Sequence, residues 1–220
     1  MNKKLVIVSC VVAAVVLAFS GCEPTGKKTE IKTAAKSKTV AKSKTVAKSK
    51  TEAKVKTEAP SKFVLRVNCA ATEPYTDKAG NLWLPDQYME EGKIWGAMDG
   101  MEVDRGELSI AGTDAPKVYE TERYMMSEYK FKVPNGKYTV RLHFAETYSG
   151  IGGEGERVFS VTINDKTVLK DFDPYKEAGG FEKPVVKEFK GIAVTNGELV
   201  IGFVSNIENP EINGIEILSE

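Results

Sequence analysis

Histidine is almost missing from these 220 residues, His143 being the only one. A metal site made of clustered imidazoles is thereby excluded, and a hydrolytic triad is left with one arrangement at most. Cysteine is scarce too, with three in the chain: Cys10, Cys22 and Cys69. No apolar run reaches the roughly 20 residues that a spanning helix needs; the longest extends from Leu5 to Phe19. Arginine does not occur in residues 1–62, nor does any aromatic between Ser20 and Lys62. Net charge is absent as well, 31 basic against 31 acidic groups. The balance hides a division. Residues 1–62 hold 14 Lys against 4 acidic groups, a charge of +10, and residues 63–220 hold 17 basic against 27 acidic groups, a charge of −10. With 41% apolar and 28% charged residues, neither a wholly disordered chain nor a multi-span membrane protein fits. A basic tail joined to one acidic domain of ordinary size does.

Lys3 and Lys4 precede the apolar run, and Phe19-Ser20-Gly21-Cys22 follows it. That order reads as a signal peptide over residues 1–21. The Ser-Gly-Cys ending resembles the lipobox of bacterial lipoproteins, which implies cleavage before Cys22 and lipidation of its thiol; a plain secretory signal with Cys22 incidental is the alternative. Glu23 stands where inner-membrane retention commonly uses Asp. The expectation is therefore a lipid-anchored protein of the bacterial cell envelope, at the outer rather than the inner membrane, with acyl chains contributing about 0.8 kcal/mol per buried methylene. Cys10 leaves with the signal and Cys22 is blocked by lipid, so Cys69 has no partner for a disulfide. In the apolar run Phe63–Ala70 it reads as a buried, inert thiol.

Residues 22–62 are expected to form a disordered linker. Ala-Lys-Ser-Lys-Thr recurs at Ala35, Ala41 and Ala47, a six-residue step that matches neither a helical period nor a solenoid repeat. One Val per copy cannot offset the entropy of ordering the segment. A self-repelling coil of this length reaches on the order of 35 Å. Its lysines suit anionic headgroups or wall polymers; a solvated tether with no partner is the other reading. Export, the lack of Arg and the lack of stacking rings all weigh against nucleic acid.

Beyond Lys62 the period becomes two. Tyr138–Phe144, Val158–Ile163 and Glu198–Val204 alternate apolar and polar residues, and Gly214–Leu218 is a further strand. Pro134-Asn135-Gly136-Lys137, Asn164-Asp165-Lys166 and Thr195-Asn196-Gly197-Glu198 are turn signals between them. Residues 63–220 thus read as an all-β domain, a β-sandwich of the jelly-roll or galactose-binding-like kind. Tyr129, Phe131, Tyr138, Phe144, Phe159 and Phe203 are assigned to its core. The stretches Tyr75–Met101 and Thr147–Glu156 hold further rings among polar residues and glycines. Loops of that kind on a rigid sandwich suit a sugar, whose axial C–H groups stack on a ring while acids and amides meet its hydroxyls.

Collinear motifs over Val67–Leu218 narrow the reading: Asn68-Cys69-Ala70, Tyr75–Trp83, Tyr119-Glu120-Thr121-Glu122-Arg123-Tyr124, Leu142–Tyr148, Arg157-Val158-Phe159, Lys170–Asp173, Glu177–Gly180 and Ile207–Asn213. In this order they resemble malectin domains. The resemblance implies a β-sandwich carbohydrate-binding module, for a glucan or another glycan, that needs no cofactor. It carries ligand contact onto Tyr124 and Tyr148. It also carries contact onto Trp95, in place of a family Tyr followed by Gly, and onto Glu208, in place of Asp before Asn-Pro. The family's Phe after the second Tyr is Ser149 here. Trp83 reads as an anchor for its turn, and Asp77 with Asn81 lacks the ligand spacing of an EF-hand calcium loop.

His143 falls on the strand face opposite Val140, Leu142 and Phe144, where a solvated or hydrogen-bonded side chain is expected. Glycoside hydrolysis needs two carboxylates about 5–10 Å apart, and no pair is marked out among 27 acidic residues. Three functions remain in order: binding of carbohydrate without catalysis, an adhesion or assembly module for a protein partner, and a small glycosidase.

Overall fold

The computed structural model describes residues 62–220. The signal segment, Cys22 and the linker lie outside them.

The described chain forms three sheets. The first, in the order β11 (Val185–Val194), β8 (Gly136–Phe144), β14 (Gly214–Ser219), β1 (Val64–Asn68), β3 (Leu82–Pro85), β2 (Tyr75–Thr76), is antiparallel except where β1 runs parallel to β3. The second runs β10 (Lys166–Phe172), β9 (Val158–Ile163), β12 (Glu198–Ile207), β7 (Glu128–Lys132), β4 (Trp95–Ala97). The third is small: β13 (Glu211–Ile212), β6 (Thr121–Tyr124), β5 (Met101–Asp104).

Alternation puts Val140, Leu142 and Phe144 of β8 on one face, and Phe159, Val161 and Ile163 of β9 with Leu199, Ile201 and Phe203 of β12 on the facing one; all are buried. Phe144 meets Phe159 and Phe172 of the second sheet at ring-centroid distances of 5.9 and 4.8 Å. Each such side chain contributes about 1.5–3 kcal/mol by leaving water, and together they hold the two large sheets as a sandwich. The six aromatics assigned to the core are all buried. Asn164 and Asp165 take φ of 48° and 62° in the turn between β9 and β10, the left-handed pair that a two-residue hairpin needs.

His143, pointing out of the sandwich, is nonetheless buried, under a second apolar cluster that includes Trp83, Val118 and Tyr119. Its Nδ1 lies 3.0 Å from the Tyr119 hydroxyl and its Nε2 3.0 Å from Glu216. It is a hydrogen-bonded strand residue. Trp83 anchors its turn as expected: its indole N–H donates to Asp77 at 3.0 Å. The same carboxylate accepts from the backbone of Ala79 and Asn81 and from the Asn81 amide. Burial opposes its ionisation, but these N–H donors outweigh it and hold the carboxyl below its ordinary range. Both oxygens are thereby committed to the turn. Cys69 is a free, buried thiol whose pKa burial pushes well up, so it is inert.

Candidate functional site

The small third sheet carries the site. In register, Tyr124 of β6 faces Glu211 of β13 on one side and Met101 of β5 on the other, and Glu122 faces Val103. Opposed residues share a face and neighbours alternate. Glu211, Glu122, Tyr124, Met101 and Val103 therefore point one way, and Arg123 with Glu102 the other. The odd-numbered face of β5, continued by Arg105, lines a cavity of about 370 Å³ whose other walls are Tyr124, Tyr148, Arg157 and Glu208.

Three of the four residues expected to bind ligand thus meet around one hollow. The Tyr124 hydroxyl donates to the Glu208 carboxylate, and the Asn209 amide donates to that hydroxyl at 3.1 Å. The bond from Tyr124, reinforced by the Asn209 backbone N–H, holds the Glu208 carboxyl below its ordinary range. Burial and the same carboxylate raise the Tyr124 phenol, which stays protonated. Each ring is backed by a guanidinium, Arg157 lying 5.4 Å from the Tyr124 centroid and Arg105 5.1 Å from that of Tyr148. Glu146 locks Arg157 through a 2.6 Å bond to Nε while accepting from the Tyr148 backbone N–H at 3.0 Å. Glu122 holds Arg105 at 2.6 Å.

Tyr148 is 45% exposed, and its ring lies over Gly150. A β-carbon built there comes within 2.4 Å of the ring, so only glycine admits this pose. Gly150→Ala is expected to displace Tyr148 and weaken ligand binding about as much as Tyr148→Ala, with thermal stability almost unchanged because the ring is exposed. Titration and a melting curve on the same preparation check this.

Trp95 does not join the site, and its assignment there is corrected. It is 7% exposed and stacks on Phe131, its cross-strand partner, with centroids 6.5 Å apart and planes within 12°. The strand β4 turns its indole into the sandwich. Ser149 lies by a separate small hollow with Tyr175 and Phe181. Met101, Val103, Arg105 and Arg157 join the cavity without any ligand-binding signal in the sequence. The alternation Met101-Glu102-Val103-Asp104 was the available signal for β5.

A slightly larger hollow, about 400 Å³, opens on the opposite face of β5 between Glu102, Asp104, Glu73 and Glu120. It holds one half-buried ring, Tyr75, against two for the cavity above Tyr124. The aromatic cavity is accordingly the candidate site.

Comparison with known proteins places this geometry in context. A probable leucine-rich-repeat receptor-like serine/threonine-protein kinase of Arabidopsis thaliana is 39% identical over 104 residues, 43% of this chain and 10% of the kinase. A kinesin-like protein of Oryza sativa subsp. japonica is 27% identical over 138 residues, 60% of this chain and 13% of that protein. Among solved structures, a Bacteroides uniformis β-glucuronidase superposes with a TM-score of 0.65 at 26% identity, covering 72% of this chain and 18% of the enzyme. The ANXUR2 extracellular domain of Arabidopsis thaliana superposes at 0.59 and 20% identity, covering 72% and 48%, which shows a shared fold. The chain thus spans between about a tenth and about half of these longer chains. Residues 63–215 match the Malectin domain family, a span that runs from the start of the sandwich into its last strand and contains the whole cavity, and the chain belongs to that family.

Proposed function

We propose that the domain binds carbohydrate without transforming it, and that it does so at the bacterial cell envelope, held by a lipid on Cys22 and spaced from the membrane by the Lys-rich linker. One observation carries the binding reading: Tyr124, Tyr148 and Glu208, with the Tyr124 hydroxyl donating to Glu208 and accepting from Asn209, surround a single cavity in a malectin-family domain. The rings offer stacking surface. Glu208 accepts from sugar hydroxyls, and the ring-backing arginines restrain the aromatic side chains before ligand arrives, which limits the entropy lost on binding. Glu208 is the one acid among the residues that line the cavity, so this cavity does not present the facing pair that hydrolysis requires.

A glycan array with the full-length chain tests this. Tyr124→Ala and Tyr148→Ala are each expected to lower affinity at least about tenfold, roughly 1.4 kcal/mol. Binding should be level from neutral pH to below the ordinary carboxyl value of 4.5 and fade only as pH falls through the depressed Glu208 pKa, because the ionised carboxylate is retained until then. Sugar binding that both substitutions leave intact would remove the site from consideration. A second reading has one support: one structure of similar fold, 21% identical, is the plant peptide RALF23 in complex with FER and LLG2. A protein partner would be captured equally well in saturating soluble sugar.

A further inference from the structure

The floor of the cavity is chemically two-sided. Toward β13, Tyr124, Glu208 and Asn209 form a connected set of hydrogen-bonding groups. Toward β5, the wall is Met101, 55% exposed, and the half-buried Val103. Val103 has no polar side-chain atom, and Met101 has only a thioether, a weak acceptor. Arg105 follows β5, its Nη2 donating to Glu122 and its Nε buried without a hydrogen-bond partner among the described residues. Adjacent strands lie about 4.8 Å apart, so a pyranose seated on Tyr124 reaches both sides. A hydroxyl turned toward Met101 and Val103 gives up water for at most a weak thioether acceptor, whereas a methyl group there leaves water with gain.

Resting on the carbohydrate reading above, we propose that this pocket selects a sugar whose edge against Met101 and Val103 ends in a methyl group, either the terminal carbon of a deoxyhexose or the methyl of an acetyl ester, with hydroxyls turned to Glu208 and Asn209. The preference over the hydroxylated counterpart is about tenfold, the usual discrimination of one group in an apolar pocket.

Ligand-observed NMR or calorimetry on the full-length chain measures it with matched probes. L-fucose against L-galactose and L-rhamnose against L-mannose each differ by one hydroxyl. Acetylated against saponified xylan oligosaccharides tests the ester source. The expected result is a preference of about tenfold for the methyl-bearing member of a hexose pair or for the acetylated oligosaccharide. Val103→Thr, which keeps the shape and adds a hydroxyl, should bring that ratio close to one. Met101→Gln, at an exposed position, should reduce it, and circular dichroism confirms that both variants fold. Equal binding within every pair, preference for the hydroxylated member, or a ratio unmoved by both variants overturns the inference and leaves carbohydrate binding standing. If no probe on this panel or on the glycan array binds, the carbohydrate reading and the inference fall together.

Discussion

Arg123→Met is expected to destabilise the domain by about 3–5 kcal/mol, the usual consequence of removing one partner from a buried ion pair. The Arg123 side chain has no solvent exposure and Asp86 almost none. Its Nε donates to Asp86 at 2.7 Å and to the Tyr129 hydroxyl at 3.0 Å, and its Nη2 donates to Glu102 at 3.0 Å. Methionine fills similar space but leaves the Asp86 carboxylate buried without its cation. The Tyr129 hydroxyl and the Ala70 backbone N–H, each 2.7 Å away, are all that then solvate its Oδ2. Arg123 sits on β6 between Glu122 and Tyr124, so it is also the tie between the floor of the site and the sandwich. Urea unfolding should show a lower midpoint with an unchanged slope, and sugar affinity should fall with it. Adding Asp86→Asn should cost less than the sum of the single changes, because the pair is coupled. A loss under about 1 kcal/mol would show that the pair does not hold the floor in place.

Glu211→Gln is expected to act in the opposite direction, with an effect that grows with pH. Glu211 is fully buried opposite Tyr124, and neither carboxyl oxygen has a hydrogen-bond partner among the described residues. Four charged groups face it: Glu122 on β6, Glu146 after β8, Arg157 before β9 and Arg105 after β5. Burial, helped by the two carboxylates, outweighs the two guanidinium groups and raises its pKa well above the ordinary 4.5. Below that value the group is protonated whether the chain is folded or not, and the linkage is neutral. As pH rises further, the unfolded chain releases a proton that the folded chain keeps. Wild-type stability then falls by about 1.4 kcal/mol per pH unit until the folded pKa is passed. Glutamine has the shape of the neutral acid and no proton to lose. Its advantage should be small near the ordinary carboxyl value of 4.5 and widen as pH rises above it in denaturation experiments. An advantage that does not widen would mean that Glu211 is ionised in the fold and paired with the arginines.

Much of the architecture was legible in the sequence because its causes are local. The step of two in Tyr138–Phe144 and Val158–Ile163, interrupted by Asn164-Asp165, encodes a strand, a face and a turn within a few residues. The observed β8 and β9 include those spans. The short helix Pro174–Ala178 was not picked out; five residues are too few to show a period of 3.6. It stands on its caps, the Asp173 carboxylate accepting from Lys176 N–H at 3.0 Å and Gly179 taking φ of 75°. In the site, Tyr124, Tyr148 and Glu208 were reached through collinear motifs. Trp95 was misplaced because a ring suited to stacking on a sugar is equally suited to stacking on Phe131.

By itself the sequence determined the all-β class, the aromatic core, the division of charge between residues 1–62 and 63–220, and the family, since alternation, composition and ordered motifs are written along one dimension. Tertiary structure alone decided which faces meet. The pairing of β5 with β6 brings Met101 and Val103 beside Tyr124, and a distant loop delivers Glu208 to the same hydroxyl, 84 residues away in the chain. Shifting that register by one residue would turn Met101 and Val103 away and present Glu102 and Asp104 instead. Such a choice is made by packing the whole sheet, so no short stretch of residues contains it.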